Sequence, residues 1–451
     1  MHNFQNSSDP QNMQHIDSLI CARWIIPVEP EGVILENHAI AVHNGHIVSI
    51  LSFQEAEQRY IPEACYSFSE HVLIPGLVNA HTHAAMALFR GIASDLPLMP
   101  WLHEHIWPAE TRWVSESFVH DGARLAVAEM LRGGVTCFND MYFFPDETAH
   151  AAIEAGIRVV LGLIVLDFPT AWARDGEEYI AKGRGVHDRY RNEPLVRTAL
   201  APHAPYSVSN ASLEHVRILA DEFDVPIHMH VHETESELDH SREQHQERPL
   251  ARMNRFDLVS PRLLAVHVTH VEENDLELLS ASGAHVVHCP ESNLKLASGL
   301  CPVERLMEAG ISVALGTDGC ASNDDLDMLG EMRTAALLAK GVANSSRSLP
   351  AARVLSMATL YGAKALGLDG TIGSLAPGKA ADIVAIDLRT VETQPVYNPV
   401  SQLIYSVNRQ QVTDVWVAGR QVLKNRALIT LDESELINRA KVWGSKIASS
   451  T

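Results

Sequence analysis

The sequence predicts an α/β chain: a (β/α)8 barrel joined to a small β-sandwich drawn from both chain ends. Three observations point there. Short, nearly continuous apolar runs alternate with amphipathic stretches from Val72 to Ala339, histidines and acids close most of those runs, and short alternating strands recur at both ends.

The candidate barrel strands are, in order, VLIPGLVNAHTH (72–83), VTCFND (135–140), RVVLGLIVLD (158–167), VRTALAPHAP (196–205), VPIHMHVHE (225–233), LLAVHVTH (263–270), AHVVHCPESN (284–293) and ISVALGTDG (311–319). A parallel strand covered by helices on both faces has no polar side, so it reads as an unbroken run of Val, Ile and Leu. Between the strands, SESFVHDGARLAVAEMLRGG, SNASLEHVRILADEFD and NDDLDMLGEMRTAALLAK have the helical period, and two of them open on residues able to cap a helix. A doubly wound open sheet is the alternative architecture, but its glycine-rich phosphate turn is missing.

The flanks SLICARWIIPVEP, HAIAVHNGHIVSIL, ADIVAIDL and VTDVWVAGRQVLKNRALI alternate apolar and polar residues around Asn-Gly and Ala-Gly turns. The expected organisation is residues 1–71 as the N-terminal part of the sandwich, 72–370 as the barrel, and 371–451 as the rest of the sandwich with a terminal helix. Roughly the first 15 residues are expected to be flexible. After the first barrel strand, AAMALFRGIASDLPLMPWLHEHIWPAETRW reads as a long loop over the C-terminal rim, with Leu98, Met99, Trp101 and Trp107 as an apolar lid or a packing surface.

Composition narrows the ligand. Lysine and arginine number 35 against 56 acids, a net charge of 35 − 56 = −21, with no basic patch, so neither nucleic acid nor an anionic membrane is the expected partner. The six cysteines are dispersed and form no C-x-x-C pair, which reads as free thiols in a reducing compartment. The start lacks a basic segment followed by an apolar core, and no apolar run approaches 18 residues; a cytoplasmic location is expected.

The chemistry gathers at the strand ends, which a barrel brings to one rim. His81 and His83 end the first strand, His203 the fourth, His267 and His270 the sixth, His285 and His288 the seventh, and Asp318 the eighth. The fifth ends in PIHMHVHETESE. There His228, His230 and His232 share one face of a regular strand, roughly 6.5 Å apart between neighbours, too far for all three to hold one ion. His81, His83, one of these histidines and Asp318 supply three nitrogens and one oxygen, a set suited to zinc or iron. A bound zinc brings its water to a pKa near ~7.

The segments LIPGLVNAHTHAAMALFRG, IHMHVHETESE, VHVTHVEENDLELL, the long stretch from HCPESNLKLASGL to DDLDMLGEMR, and GSLAPGKAADIVAID resemble the amidohydrolase superfamily. Within it they are most similar to the 5-methylthioadenosine/S-adenosylhomocysteine deaminases, in the group that also contains the s-triazine chlorohydrolases. The resemblance runs from about Asp17 to Val442. It implies a TIM barrel holding one divalent metal ion, zinc with iron(II) as the alternative, on His81, His83, His230 and Asp318. It also implies catalytic roles for Glu233 as acid/base, for His267 beside the reacting water, and for Asp318 as a proton carrier. Thr234 completes the family's H-x-x-E-T pattern. Glu110, His203, Glu233 and Ser322 match substrate-binding positions, Glu110 on a ribose diol. The fourth strand, LVRTALAPHAPYS, has no lysine to bridge two metals, which favours one ion and deamination.

The implied substrate is a purine nucleoside, 5'-methylthioadenosine, losing its 6-amino group to give 5'-methylthioinosine and ammonia, with S-adenosylhomocysteine or adenosine as further substrates. The amino-acid tail of S-adenosylhomocysteine is best met by arginine. Gly162 and Leu163 stand where one is sought, and Arg174 remains the candidate. Another amidohydrolase, such as a guanine, cytosine or triazine deaminase or chlorohydrolase, would use the same metal set; a non-catalytic barrel would be expected to have lost ligands. His270, His285 and His288 are expected to be structural or to support the ligands from behind, and a homo-oligomer, dimer or tetramer, is expected.

Overall fold

The computed structural model describes residues 13–449. The flexible start expected from the sequence falls almost wholly outside the described residues. Four strands come first: β1 (Gln14–Ile25), β2 (Leu35–His43), β3 (His46–Ser52) and β4 (Tyr60–Pro75). The barrel follows with β5 (Leu77–Thr82), β6 (Val135–Tyr142), β7 (Arg158–Val165), β8 (Val196–Pro202), β9 (Ile227–Val231), β10 (Leu263–His267), β11 (His285–His288) and β12 (Ser312–Leu315). The chain returns with β13 (Ile383–Asp387), β14 (Val412–Val417), β15 (Arg420–Lys424) and β16 (Ala427–Leu428), then a helix over Glu433–Ala448.

Strands β5 to β12 are hydrogen-bonded in sequence order, every pair parallel. The ring is drawn together where the Asp318 N–H donates to the His81 carbonyl at 3.0 Å. Gly316 permits that approach, since a Cβ there would lie 2.8 Å from the His81 nitrogen. Each of the eight predicted runs thus contains a barrel strand.

The first predicted strand is divided, however. Val72–Pro75 finish β4 and pair antiparallel with β13, while Leu77 onward pairs with β6. The chain changes sheets at Gly76, where a Cβ would sit 1.9 Å from the Thr136 hydroxyl. Only glycine fits this crossing.

The terminal strands form one mixed sheet in the order β16-β15-β14-β13-β4-β1-β2-β3, with β1 and β4 parallel. It curls over the fully buried Trp416, against which Tyr66 and Phe68 lie edge-on with ring centroids 5.2 and 6.0 Å away. The Ile47 N–H donates to Lys379 and the Ala381 N–H to Gly45, tying one arm of the sheet to the chain entering the other. The terminal helix docks on the helix Glu116–Arg132 through Asp121, which accepts from Arg439 and from the Trp443 indole, both at 2.7 Å.

The long loop expected after the first strand is mostly helical. A 3-10 turn spans Ala84–Phe89, and Leu98–Trp101, a wide π turn over Leu102–Ile106 and Trp107–Trp113 run on as one helical lid. Its prolines stand where helices begin: Pro97 at the first cap, Pro108 in the first turn of the last segment. All six cysteines are free. No helix among the described residues is long and apolar enough to cross a membrane.

Candidate active site

Strand β9 resolves the alternating histidines. The strand stops at Val231, and His232 takes a left-handed backbone (φ 56°) that breaks the alternation. The His232 ring leaves the rim, donating from Nδ1 to the His270 carbonyl at 3.0 Å and accepting the Leu250 N–H at Nε2. His228 stays inside the barrel, its Nε2 2.8 Å from His81 Nδ1. His230 points into the rim, and Glu233, carried past the turn, lines the same cavity.

Ligand atoms of His81, His83, His230 and Asp318 all lie within 4.8 Å of one another. His81 comes from strand β5, His83 from the residue just after it, His230 from β9 and Asp318 from the turn after β12, where it is itself left-handed (φ 60°). Hydrogen bonds behind the rings set their tautomers. His83 donates Nδ1–H to the Met141 carbonyl at 2.6 Å, and His230 donates Nδ1–H to the His203 carbonyl at 2.7 Å, which turns each Nε2 toward the cluster. Three imidazole nitrogens and one carboxylate, oriented from behind and close enough to share an ion, fit a divalent metal of the zinc type.

The two carboxyl groups of the site are in opposite states. Burial alone would raise Asp318, but His81 and His83 hold it well below the usual carboxylate range. It also accepts from the Gly319 N–H and from the hydroxyls of Ser292 and Ser322, at 2.8, 2.6 and 2.8 Å. Glu233 is pushed up to about 8 by burial and by the Asp318 charge, so it keeps its proton at neutral pH. Environments that drive two neighbouring carboxyls apart are how one site obtains an acid and a base.

His267, at φ 78°, has its Nε2 3.7 Å from the Glu233 carboxyl. Asn293 donates to its Nδ1 at 3.0 Å, so Nε2 carries the proton and faces the cavity. Burial lowers its pKa to about 4 and that of His203 to about 3, leaving both neutral.

The cavity occupies about 550 Å³. His83, His230, Asp318, Glu233 and His267 form its floor, with His81 fully buried behind them, and Leu98, Trp101, Ile106 and Trp107 of the lid form its roof. Met99, expected in the lid, is partly buried beside it and is not among the lining residues. Glu110 projects from the last lid segment; burial pushes it up to about 7, against the pull of the nearby Tyr142 hydroxyl and His83. Ser322 lines the wall with its hydroxyl committed to Asp318.

Arg174 departs from its expected place. Its side chain is 83% exposed and ion-paired with Glu178 one helical turn on, at 2.7 Å, and it is absent from the cavity wall. No lysine or arginine lines the cavity among the described residues.

The sequence profile of the amidohydrolase family matches residues 72–422, which include every residue of this cluster. The chain belongs to the amidohydrolase family. A 5-methylthioadenosine/S-adenosylhomocysteine deaminase from Teredinibacter turnerae is 46% identical over 438 residues, covering 97% of this chain and 99% of its own. The crystal structure of an adenosine deaminase from Xanthomonas campestris with bound zinc superposes with a TM-score of 0.96 at 51% identity, over 97% of this chain and 100% of that one. Atrazine chlorohydrolase from Arthrobacter aurescens, complexed with zinc, superposes at 0.88 with 23% identity over 94% of this chain and 99% of its own, a likeness of fold.

Several residues of this amidohydrolase site escaped the sequence. Ser292 and Asn293, which hold Asp318 and His267, stand at the end of the seventh predicted strand, but a bare P-E-S-N gives no clue to what it faces. Glu237 was signalled locally: T-x-x-E before a helix is a capping pattern. His228 gave no sign of its contact with His81, because parity names a face and not a partner.

Proposed function

We propose that the protein removes the 6-amino group of 5'-methylthioadenosine by hydrolysis, with one zinc ion held by His81, His83, His230 and Asp318. The observation that carries the proposal is a protonated glutamate beside a three-histidine, one-aspartate cluster, beneath an apolar roof without a cationic side chain. The names and full-length identity of the relatives support the nucleoside class.

Bound zinc supplies the Lewis acidity that makes water nucleophilic at neutral pH. The protein's residues supply the proton traffic. Addition at C6 of the adenine requires a proton at ring N1, and Glu233 holds one at neutral pH. Asp318, ionised and fixed by three hydrogen bonds, accepts one proton from the incoming water and delivers it to the departing ammonia, while the water's second proton returns to Glu233 as the C6 carbonyl forms. His267 presents Nε2–H to the same space and orients the nucleophile. Glu110 accepts the ribose diol, His203 contacts the purine from the wall, and the lid covers the thiomethyl group.

The cation-free wall supports 5'-methylthioadenosine over S-adenosylhomocysteine, whose carboxylate would be buried unpaired. Adenosine is the second substrate, favoured by the name of the Xanthomonas neighbour. Six free thiols support the cytoplasm as the compartment. A dimer or tetramer is the assembly we expect, which light scattering on the eluting protein measures. Conversion of adenine to hypoxanthine nucleosides, followed by ultraviolet absorbance across a substrate panel, tests the activity. Zinc-loaded protein that turns over none of them would overturn the proposal.

A further inference from the structure

We propose that Glu237 is a positioning residue for the reaction, clamping the chain turn that aims Glu233 at the substrate. The proposal rests on the role assigned above to Glu233. Glu237 lies in the first turn of the helix Glu235–His245, 5% exposed. Thr234 caps that helix by accepting the Glu237 N–H. In a reciprocal capping box, the glutamate would reach back to the cap residue's own N–H. Here it passes that group. One carboxylate oxygen accepts the His232 N–H at 2.9 Å and the other the Glu233 N–H at 2.8 Å.

These two N–H groups belong to the turn that ends β9. His232 is left-handed, an unfavourable state for a side chain with a Cβ, and such a turn persists only where its surroundings hold it. Thr269 holds the opposite edge. Its hydroxyl reaches the Glu233 carbonyl at 2.7 Å and the His232 carbonyl at 3.0 Å, and its N–H donates to His232 at 3.0 Å. Both peptide units that swing Glu233 out of strand alternation are therefore fixed from both sides.

Cap formation alone does not account for this arrangement. Among the described residues Glu237 forms no ion pair; the two N–H groups are its partners, in a place where a buried carboxylate is costly. What both contacts determine in common is the direction of residue 233. Released, the turn can relax toward regular strand geometry, which points Glu233 away from His267 and the cavity. Misplacing a reacting group by about 1 Å costs on the order of 100-fold in rate.

The test is Glu237→Gln in the zinc-loaded, full-length enzyme. The amide keeps one acceptor and turns a donor toward the second N–H. We expect kcat for 5'-methylthioadenosine to fall by about 10- to 100-fold with KM and zinc content near wild type. In a Glu233→Gln background the same change should cost nothing further, because the group it aims is already gone. Wild-type kcat in Glu237→Gln, or an undiminished loss in the double variant, would overturn the clamp. Should Glu237→Gln fail to fold, Thr269→Val releases the other edge and must show the same non-additivity. A crystal structure of either variant decides the matter without turnover: the Glu233 carboxyl should have left His267 and the Ser298 hydroxyl, which donates to it at 3.3 Å, and an unmoved carboxyl refutes the proposal. Inactivity of the wild type on every nucleoside would instead sink the deaminase assignment and leave that structural readout intact.

Discussion

Replacing Glu110 by glutamine should uncouple nucleoside binding from pH. Glu110 is half-buried in the cavity wall and raised to about 7, so its carboxyl takes up a proton near neutral pH. A carboxylate can accept from both hydroxyls of a ribose diol, whereas the acid form surrenders part of that capacity. The sign follows: the binding form exists above pH 7 and is lost as pH falls. One unit below the pKa about a tenth of the group is ionised, so kcat/KM at pH 6 should be roughly fivefold lower than at pH 8, where about half of Glu233 has also lost its proton. A hydrogen bond to a charged group contributes about 1.5–3 kcal/mol, so Glu110→Gln should cost about 2 kcal/mol, or ~30-fold in kcat/KM. The variant's acid limb should vanish. Initial rates by ultraviolet absorbance from pH 5.5 to 9 measure both effects, with a substrate lacking the 2'- and 3'-hydroxyls as the control. An acid limb that persists unchanged in Glu110→Gln, or an equal loss on the substrate without a diol, would refute the reasoning.

Three further outcomes are expected. Glu233→Gln should lower kcat by about 10²–10⁴-fold while metal analysis finds zinc retained, and it should abolish the fall in kcat/KM that wild type shows as pH rises through about 8 and Glu233 loses its proton. His230→Ala should reduce bound zinc to traces by elemental analysis, whereas His232→Ala, whose ring faces His270 and Leu250, should keep it. S-Adenosylhomocysteine should be turned over with kcat/KM at least about tenfold below that of 5'-methylthioadenosine, since no arginine or lysine in the cavity wall meets its carboxylate. Equal values in a competition assay would contradict the cation-free wall as the specificity element.

The barrel was legible because strands buried on both faces cannot hide their composition: the eight runs from VLIPGLVNAHTH to ISVALGTDG each hold a strand. The ligand cluster was legible for a different reason, since residues at strand ends share a rim whatever their separation in sequence. The lid was not. The stretch reads as a loop, yet Pro97 and Pro100 stand in the first turn of a helix, where a proline removes no hydrogen bond, and Pro108 follows the wide π turn, so the chain coils around all three. Arg174 shows another limit. Its sequence position allowed a cavity contact, and an i, i+4 partner in Glu178 drew it to the surface. The split of the first strand was hidden because Gly76 sits in an apolar run that looks the same whether it serves one sheet or two.

That split has an evolutionary consequence. Since β4 runs through Gly76 straight into β5, the segment bearing His81 and His83 is anchored in the outer sheet before it enters the barrel. The two layers cannot be shuffled as exchangeable modules, because a transplanted barrel would begin with a frayed first strand and an unseated metal layer. Variation compatible with metal retention is therefore channelled away from that anchorage, to the lid between Leu98 and Trp113. New substrate preferences in such a scaffold should arise by changing its roof and keeping its root.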